Sequence, residues 1–254
     1  MQGFCELLFE LSNEDRLSIL RELRKNPMKL SHLSERFGFT VPETARNISR
    51  LSEASLIIRD ADGSYRLTPF GEEALQLLPG FEFLSKNKSY FTTHTLSALP
   101  REFVVSLGAL EKYKPISELT TILHNVEKAM SEAEEYFWFM SDQLLASGLP
   151  IAVEAVKRGV AFKKLLPRNV NIPDDVLAMA NNPVFEIAAR EKKFESRYLD
   201  RVDVAIFLSE KEVAAICFPE TQGRLDYLGF TTKDELAHKW SKSLFSYYWD
   251  KAKR

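Results

Sequence analysis

The chain has 254 residues, a formal net charge of −2, 45% apolar residues and 28% charged residues. That is the balance of a soluble globular protein with room for two compact domains, and no apolar run approaches the roughly 20 residues a membrane-spanning helix needs. The lack of a basic excess excludes a general nucleic-acid coater, so any DNA contact must come from a local patch. Acids early in MQGFCELLFELSNEDR argue against a secretory signal, and two distant cysteines, Cys5 and Cys217, suit a reducing cytoplasm with neither a disulfide framework nor zinc spacing. Inert thiols are expected.

Residues 13–25, NEDRLSILRELRK, place Leu17, Leu20 and Leu23 at helical spacing. Ser12 or Asn13 caps the start, acids occupy the first turn, and Asn26-Pro27 stops the helix. KLSHLSERFG predicts a short helix closed by Gly38. In the stretch 39–57, FTVPETARNISRLSEASLI, Thr40 is an N-cap candidate, Glu43 sits at the capping-box position and Pro42 suits the first turn. The β-prone runs LIIR and SYRLT flank DADG, which predicts a hairpin. Helix, helix, helix, hairpin is the element order of a winged helix-turn-helix.

A further helix begins at PFGEEALQLL, with Pro69 in its first turn. Residues 81–114 mix helical and irregular signals and are expected to be a linker region with helical content. From about residue 115 the texture changes. ISELTTILHNVEKAMSEAEE is helical, YFWFMS a strand, DQLLASGLPIAVEAVKRG helical, VAFKKLLP a strand and IPDDVLAMANN a short helix. FESRYL, VDVAIFLS and EVAAICF read as strands, and TTKDELAHKWSKSLFSYYWDKAK closes the chain as a helix. The expected fold class is therefore an α+β winged helix-turn-helix domain over 1–80, followed over 115–254 by a mixed α/β domain.

Turning 100° per residue from Val41 puts Val41, Ala45, Ile48 and Ser52 on one side of the third helix, with Leu51 and Ser55 at its edge. Glu43, Arg46, Asn47, Arg50 and Glu53 fall opposite. Arginine pairs bidentately with guanine and asparagine with adenine, which makes Arg46, Asn47 and Arg50 the candidate base readers. Thr40, Thr44 and Ser49, with Arg59 and Arg66 on the hairpin, are candidates for positioning the DNA backbone. The competing reading is a solvated face with Glu43–Arg46 and Arg50–Glu53 ion pairs, each worth about 0.2–0.5 kcal/mol. The preceding short helix, the tight Gly38 turn and the following hairpin favour DNA.

Local catalytic signatures are absent. There is no GxGxxG, no GxxxxGK[ST], no GxSxG, and none of His32, His94, His124 and His238 forms an HExxH. The acid pair Glu134–Glu135 reads as a solvated or helix-end charge. No enzyme activity, cofactor or metal is expected. The aromatic-rich strands and the stripe Leu236, Trp240, Leu244 and Tyr247 read as core rather than as a base-stacking platform.

Four stretches carry a resemblance: RLTPFGEEAL, YFTTHTLSALPREFVVSLGAL, VDVAIFLSEKEVAAICFP and GRLDYLGFTTKDELAHKWSKSLFSYYWDKA. In this order they resemble the archaeal transcriptional regulators that join an ArsR-like winged helix to the methanogenesis-regulator middle domain, over nearly the whole chain. The resemblance implies an N-terminal DNA-binding domain and a C-terminal effector-sensing or dimer-forming domain. The second half also looks like the phospholipase-D-like domains of some archaeal sugar-responsive regulators. The enzymes of that fold carry His-x-Lys-x4-Asp; here His238 is followed directly by Lys239, so phosphodiesterase activity is not expected.

Ligands of α/β sheets tend to bind beyond the carboxyl ends of strands. FMSDQ and LLPRN are such ends, which nominates Ser141, Asp142 and Arg168 for a pocket. The plain alternatives are a helix N-cap for Ser141 or Asp142 and a surface charge for Arg168. The expected protein is a cytoplasmic homodimeric regulator of double-stranded DNA with a small-molecule effector and no membrane partner. The alternative is a module whose winged helix docks a protein.

Overall fold

Each of the three helices and the hairpin expected near the N-terminus forms at a cap or turn named by its residues. The computed structural model describes residues 2–172 and 174–253. Helix α1 (Gln2–Leu11), which periodicity had not singled out, precedes α2 (Glu14–Leu23). The Asn13 side chain caps α2 by accepting from the Arg16 backbone N–H at 3.0 Å. Helix α3 (Leu30–Phe37) ends at Gly38, whose φ of 68° is left-handed and cheapest for glycine. Helix α4 (Val41–Glu53) opens with a complete capping box: the Thr40 hydroxyl accepts from the Glu43 N–H, and the Glu43 carboxylate accepts from the Thr40 N–H at 2.9 Å. Strands β1 (Ile57–Arg59) and β2 (Tyr65–Leu67) pair antiparallel, with Ile57 opposite Leu67.

Helix α5 (Pro69–Lys86) follows, and the chain divides into two units between Pro79 and Gly80. The core of the first unit gathers Ile19, Leu20, Leu23, Leu33, Ile48, Leu51, Leu56 and Leu75. A β-carbon on Gly71 would lie 2.1 Å from the Leu56 carbonyl oxygen, so only glycine lets α5 start against that loop.

The second unit is a mixed α/β layer structure. Its sheet runs β3-β9-β8-β7-β4-β5-β6. The strands are β3 (Lys114–Ile116), β4 (Tyr136–Met140), β5 (Ala161–Pro167), β6 (Phe194–Leu199), β7 (Ala205–Ser209), β8 (Val213–Cys217) and β9 (Gly229–Thr232). β4, β5 and β6 are parallel, joined by α9 (Gly148–Lys157) and then by α10 (Asp174–Ala180) and α11 (Pro183–Arg190); the other pairings are antiparallel. Pro173, inside the stretch read as a short helix, lies outside the described residues. Helix α8 (Leu119–Glu132) packs with α9, β7 and β8, and the last helix, α12 (Glu235–Lys251), also packs on β7 and β8. Trp138 and Lys163 point toward α12, whereas Phe139 and Lys164, one residue on, point to the opposite face, that of α8 and α9.

Residues 81–114 are not a linker. They form α6 (Lys88–Phe91), α7 (Arg101–Val105) and a 3-10 turn (Leu107–Leu110), and they contribute Phe83, Leu99, Phe103, Leu107, Leu110 and Tyr113 to the core of the second unit. The Tyr90 hydroxyl accepts from the Phe218 N–H at 3.0 Å and donates to the Leu228 carbonyl at 3.1 Å. The elements are too short to show a period, but their apolar residues converge on the sheet. Replacing Phe83, 1% exposed, with alanine is expected to destabilise the second unit by about 3–5 kcal/mol in chemical denaturation. A negligible change would return this segment to a connecting role.

Candidate nucleic-acid interface and a cleft of the second unit

The buried stripe of α4 is Thr44, Asn47, Ile48 and Leu51, at helical spacing i, i+3, i+4, i+7. This is a rotation from the expected face. Val41 is the first helical residue and 59% exposed, and Ala45 and Ser52 are exposed with it. Thr44 is fully buried and donates its hydroxyl to the Thr40 carbonyl at 3.1 Å, one turn back. Asn47 is 8% exposed. Thr44 is therefore not free to reach a phosphate, whereas Asn47, though largely buried, still lines the polar cleft beside Arg46. An apolar residue at a helix start biased the wheel; polar residues able to satisfy themselves within the helix or the interface occupy the inner face.

Arg50 is also corrected. It donates from Nε to Glu10 Oε2 at 3.2 Å and from Nη2 to Glu10 Oε1 at 2.6 Å, and its guanidinium lies 5.2 Å from the Phe9 ring centroid. Glu10 is itself buried and also pairs with the buried Arg16, Nε to Oε2 2.8 Å. The hydrogen bond from Arg50 is the largest cause holding the Glu10 carboxyl below its usual range; the charges of Arg16 and Arg50 act with it and burial opposes them. Arg50 is thus a tie between α4 and α1. Nothing in the spacing of α4 reveals a partner 40 residues away.

The outward face of α4 then consists of Pro42, Arg46, Ser49 and Glu53, with Ala45 and Ser52 at one edge and Glu43 and Arg50 at the other. Ser49 donates to Glu53 at 2.8 Å, and the Thr40 hydroxyl donates to Glu43 at 2.7 Å. Arg46 makes no hydrogen bond or ion pair among the described residues, and it lines a polar cleft with Asp15, Arg16, Glu43 and Arg50. On the hairpin, Arg59 is exposed over the Tyr65 ring at 5.8 Å, whereas Arg66 pairs with Asp60 at 2.9 Å.

In the second unit the structure joins two of the three residues nominated for a pocket. The Ser141 hydroxyl is 2.7 Å from that of Tyr227, and the Tyr227 hydroxyl donates to Asp142. Ser141 also accepts from the Gln143 N–H at 3.2 Å, a local turn rather than a helix cap, since α9 starts only at Gly148. Ser141 lines a cleft with Gln143, Arg224, Asp226 and Tyr227 over a floor that includes Ile122, Val126 and Phe207. Arg168 is elsewhere. β5 runs two residues past Leu165, the last partner of β4, and Arg168 turns to Asp200 at 3.1 Å.

Tyr227, Arg224 and Asp226 escaped the sequence reading because they come from the loop before β9; Tyr227 is 86 positions from Ser141. Tyr227 has φ 62°, a left-handed backbone that a tyrosine holds only under constraint. Burial, with the Asp142 carboxylate adding to it, pushes its hydroxyl well above the usual tyrosine range. Asp226 is fixed from behind by His94 Nε2 at 3.1 Å, and the His94 ring stacks on Tyr90. Cys217 is buried, which raises its thiol; Cys5 is exposed.

No helix among the described residues is long and apolar enough to cross a membrane, and no group of three or more His, Cys, Asp and Glu gathers among them as a metal site. No family model and no curated protein matches the chain. Among solved structures it is similar to TrmBL2, an archaeal chromatin protein whose structure shows a novel mode of DNA binding: 19% identity over 95% of this chain and 94% of that one, with a TM-score of 0.45. It is similar to Nuc, a phospholipase D family member from Salmonella typhimurium: 14% identity over 50% of this chain and 86% of that one, TM-score 0.35. The O-methyltransferase NcsB1 of neocarzinostatin biosynthesis gives 13% identity over 78% of this chain and 64% of that one, TM-score 0.24. At these scores and identities none of the likenesses says what this chain binds.

Glu10→Ala is expected to lower the stability of the first unit by on the order of 3 kcal/mol, because the buried Arg16 loses its counter-charge and keeps only the Phe9 and Glu10 carbonyls as acceptors. The pKa of Glu10 is depressed in the folded state, so its contribution is present above the ordinary glutamate range and lost as pH falls through the folded value. The melting difference between wild type and Glu10→Gln should therefore be full at neutral pH and shrink below about pH 4. A difference independent of pH would remove the ionic role.

Proposed function

We propose that the chain is a DNA-binding transcriptional regulator whose first unit acts as a winged helix, with α4 entering the major groove. One observation carries the reading: Arg46, exposed on the outward face of α4 beside Pro42 and Ser49, makes no hydrogen bond or ion pair among the described residues. Small residues let a helix axis approach the base edges, the Ala45 methyl suits a thymine methyl, and a free guanidinium can take guanine O6 and N7. Arg46 is the base reader, and Ser49 sits beside it on the same face. Arg59 on the hairpin and Thr40 at the helix start serve the DNA backbone. Glu43 and Glu53 accept from Thr40 and Ser49 and stay anionic, so in this reading the DNA backbone passes clear of them.

Anisotropy with DNA from upstream of the gene, at two salt concentrations against a scrambled competitor, tests this. Arg46→Ala should weaken binding by about 1–3 kcal/mol and relax the base preference at one position, Arg59→Ala should flatten the salt slope, and Arg50→Ala should lower the melting temperature with little change in base preference. Unchanged affinity and base preference in Arg46→Ala would overturn the assignment and favour a protein partner for this face.

The reading extends to a homodimer, with half-sites about one helical turn, roughly 34–36 Å, apart or a multiple of it. It is supported by α1, which leaves Phe4 and Leu8 exposed at 62% and 42%. Sedimentation should give a dimer that Leu8→Glu weakens; a wild-type monomer at micromolar concentration would remove this part. In this reading the second unit senses an effector rather than catalysing a reaction, and Ser141, Asp142 and Tyr227 are its polar contacts. Arg168, paired with Asp200 away from that cleft, has no part in it.

A further inference from the structure

The Ser141–Tyr227 cleft of the second unit holds about 280 Å³ of space, close to the lower end of small-molecule sites, which suits a ligand of amino-acid size rather than a nucleotide. Hydrogen-bond direction fixes what its polar groups offer. The Tyr227 hydroxyl donates to Asp142, so at its 2.7 Å contact with Ser141 it accepts, and the Ser141 proton is committed to it. Ser141 accepts in turn from the Gln143 N–H at 3.2 Å. Neither hydroxyl has a proton left for a ligand, and both present lone pairs. Asp226 is an acceptor as well. Its Oδ2 meets His94 Nε2 at 3.1 Å and its Oδ1 accepts from the Leu228 N–H at 2.9 Å, which fixes the carboxylate and leaves each oxygen a further lone pair.

The donors of the cleft are Gln143 and Arg224. The Gln143 side-chain amide and the Arg224 guanidinium make no hydrogen bond or ion pair among the described residues, although Asp226, two positions from Arg224, lines the same cleft. The rest of the wall is apolar, with Ile122, Leu123, Val126, Phe207 and Leu225. An anionic acceptor end, a cationic donor end and an apolar floor match a ligand of the opposite pattern. We infer that this cleft binds an apolar α-amino acid, its carboxylate pairing with the Arg224 guanidinium, its ammonium taken by Asp226 and the Tyr227 oxygen, and its side chain lying on Ile122, Val126 and Phe207. Arginine meets a carboxylate bidentately. An acid without the ammonium would leave the Asp226 charge and the hydroxyl lone pairs facing carbon, and an amine without the carboxylate would leave Arg224 unmatched. The inference rests on the reading of this cleft as the effector site, and it does not depend on what α4 binds.

The test is calorimetry on the full chain without DNA. One set is L-phenylalanine beside 3-phenylpropanoate and 2-phenylethylamine, which lack the ammonium and the carboxylate in turn; the other is L-leucine beside 4-methylpentanoate and 3-methylbutan-1-amine. At least one amino acid should bind about tenfold or more tighter than either of its analogues. Arg224→Gln, at an exposed position, should erase the preference over the amine and keep that over the acid. Ala146→Trp, which fills the cleft from an exposed position while both charges stay, should weaken every ligand together. Equal affinities across both sets, a preference over the amine that survives Arg224→Gln, unchanged binding in Ala146→Trp, or no uptake of either amino acid by the folded wild type would each overturn the proposal. Anisotropy of the DNA complex separates the two readings: an amino acid that binds with this selectivity and leaves the affinity for DNA unchanged supports the ligand assignment and removes the effector role.

Discussion

One buried carboxylate organises the first unit. Glu10, on α1, takes Arg16 of α2 and Arg50 of α4 at once, with Phe9 under both guanidiniums. Three helices are thus tied by one charge cluster, and both cations are withdrawn from other work. The orientation of α4 follows. With Arg50 turned to α1 and Thr44, Asn47, Ile48 and Leu51 turned to the core, the face left to solvent is that of Pro42, Arg46, Ser49 and Glu53. The interface candidate is what remains after the helix has been anchored.

The second unit depends on a different constraint. Its sheet is covered on both faces, so successive strand residues serve different layers. Aromatic residues fill both, and the lysines are treated according to side. Lys163 finds two indole rings, while Lys164 faces a phenylalanine-lined hollow without an acid. The same alternation brings Ser141 out of β4 into the adjoining cleft, where the loop before β9 supplies Tyr227 in a constrained backbone. The polar cleft and the apolar hollow therefore adjoin on one face of the sheet, sharing Val126, Leu144, Leu145 and Phe207.

Much of the local architecture was legible in the residues. Asn13, Gly38 and the Thr40–Glu43 box set three helix ends, and DADG set the hairpin, because caps and tight turns depend on side chains within a few positions. The mixed α/β character of the second half followed from its alternating textures. Helix α1, α11, β3 and β9 were not legible: they are short or lack a clean period, and they are held by what they pack against. Residues 81–114 read as a linker for the same reason.

The sequence by itself determined the helix caps and hairpin of the first unit, the longer helices and strands of the second, and that no familiar catalytic motif lies along it. Only the tertiary structure decided which arginine of α4 is free, which strand lysine lacks a counter-charge, and which tyrosine completes the Ser141–Asp142 pair. The physical reason is distance along the chain. Glu10 and Arg50 are 40 positions apart and Asp142 and Tyr227 are 85 apart. A charge or hydroxyl has a role only once its partner is beside it, and that partner is set by packing, not by spacing.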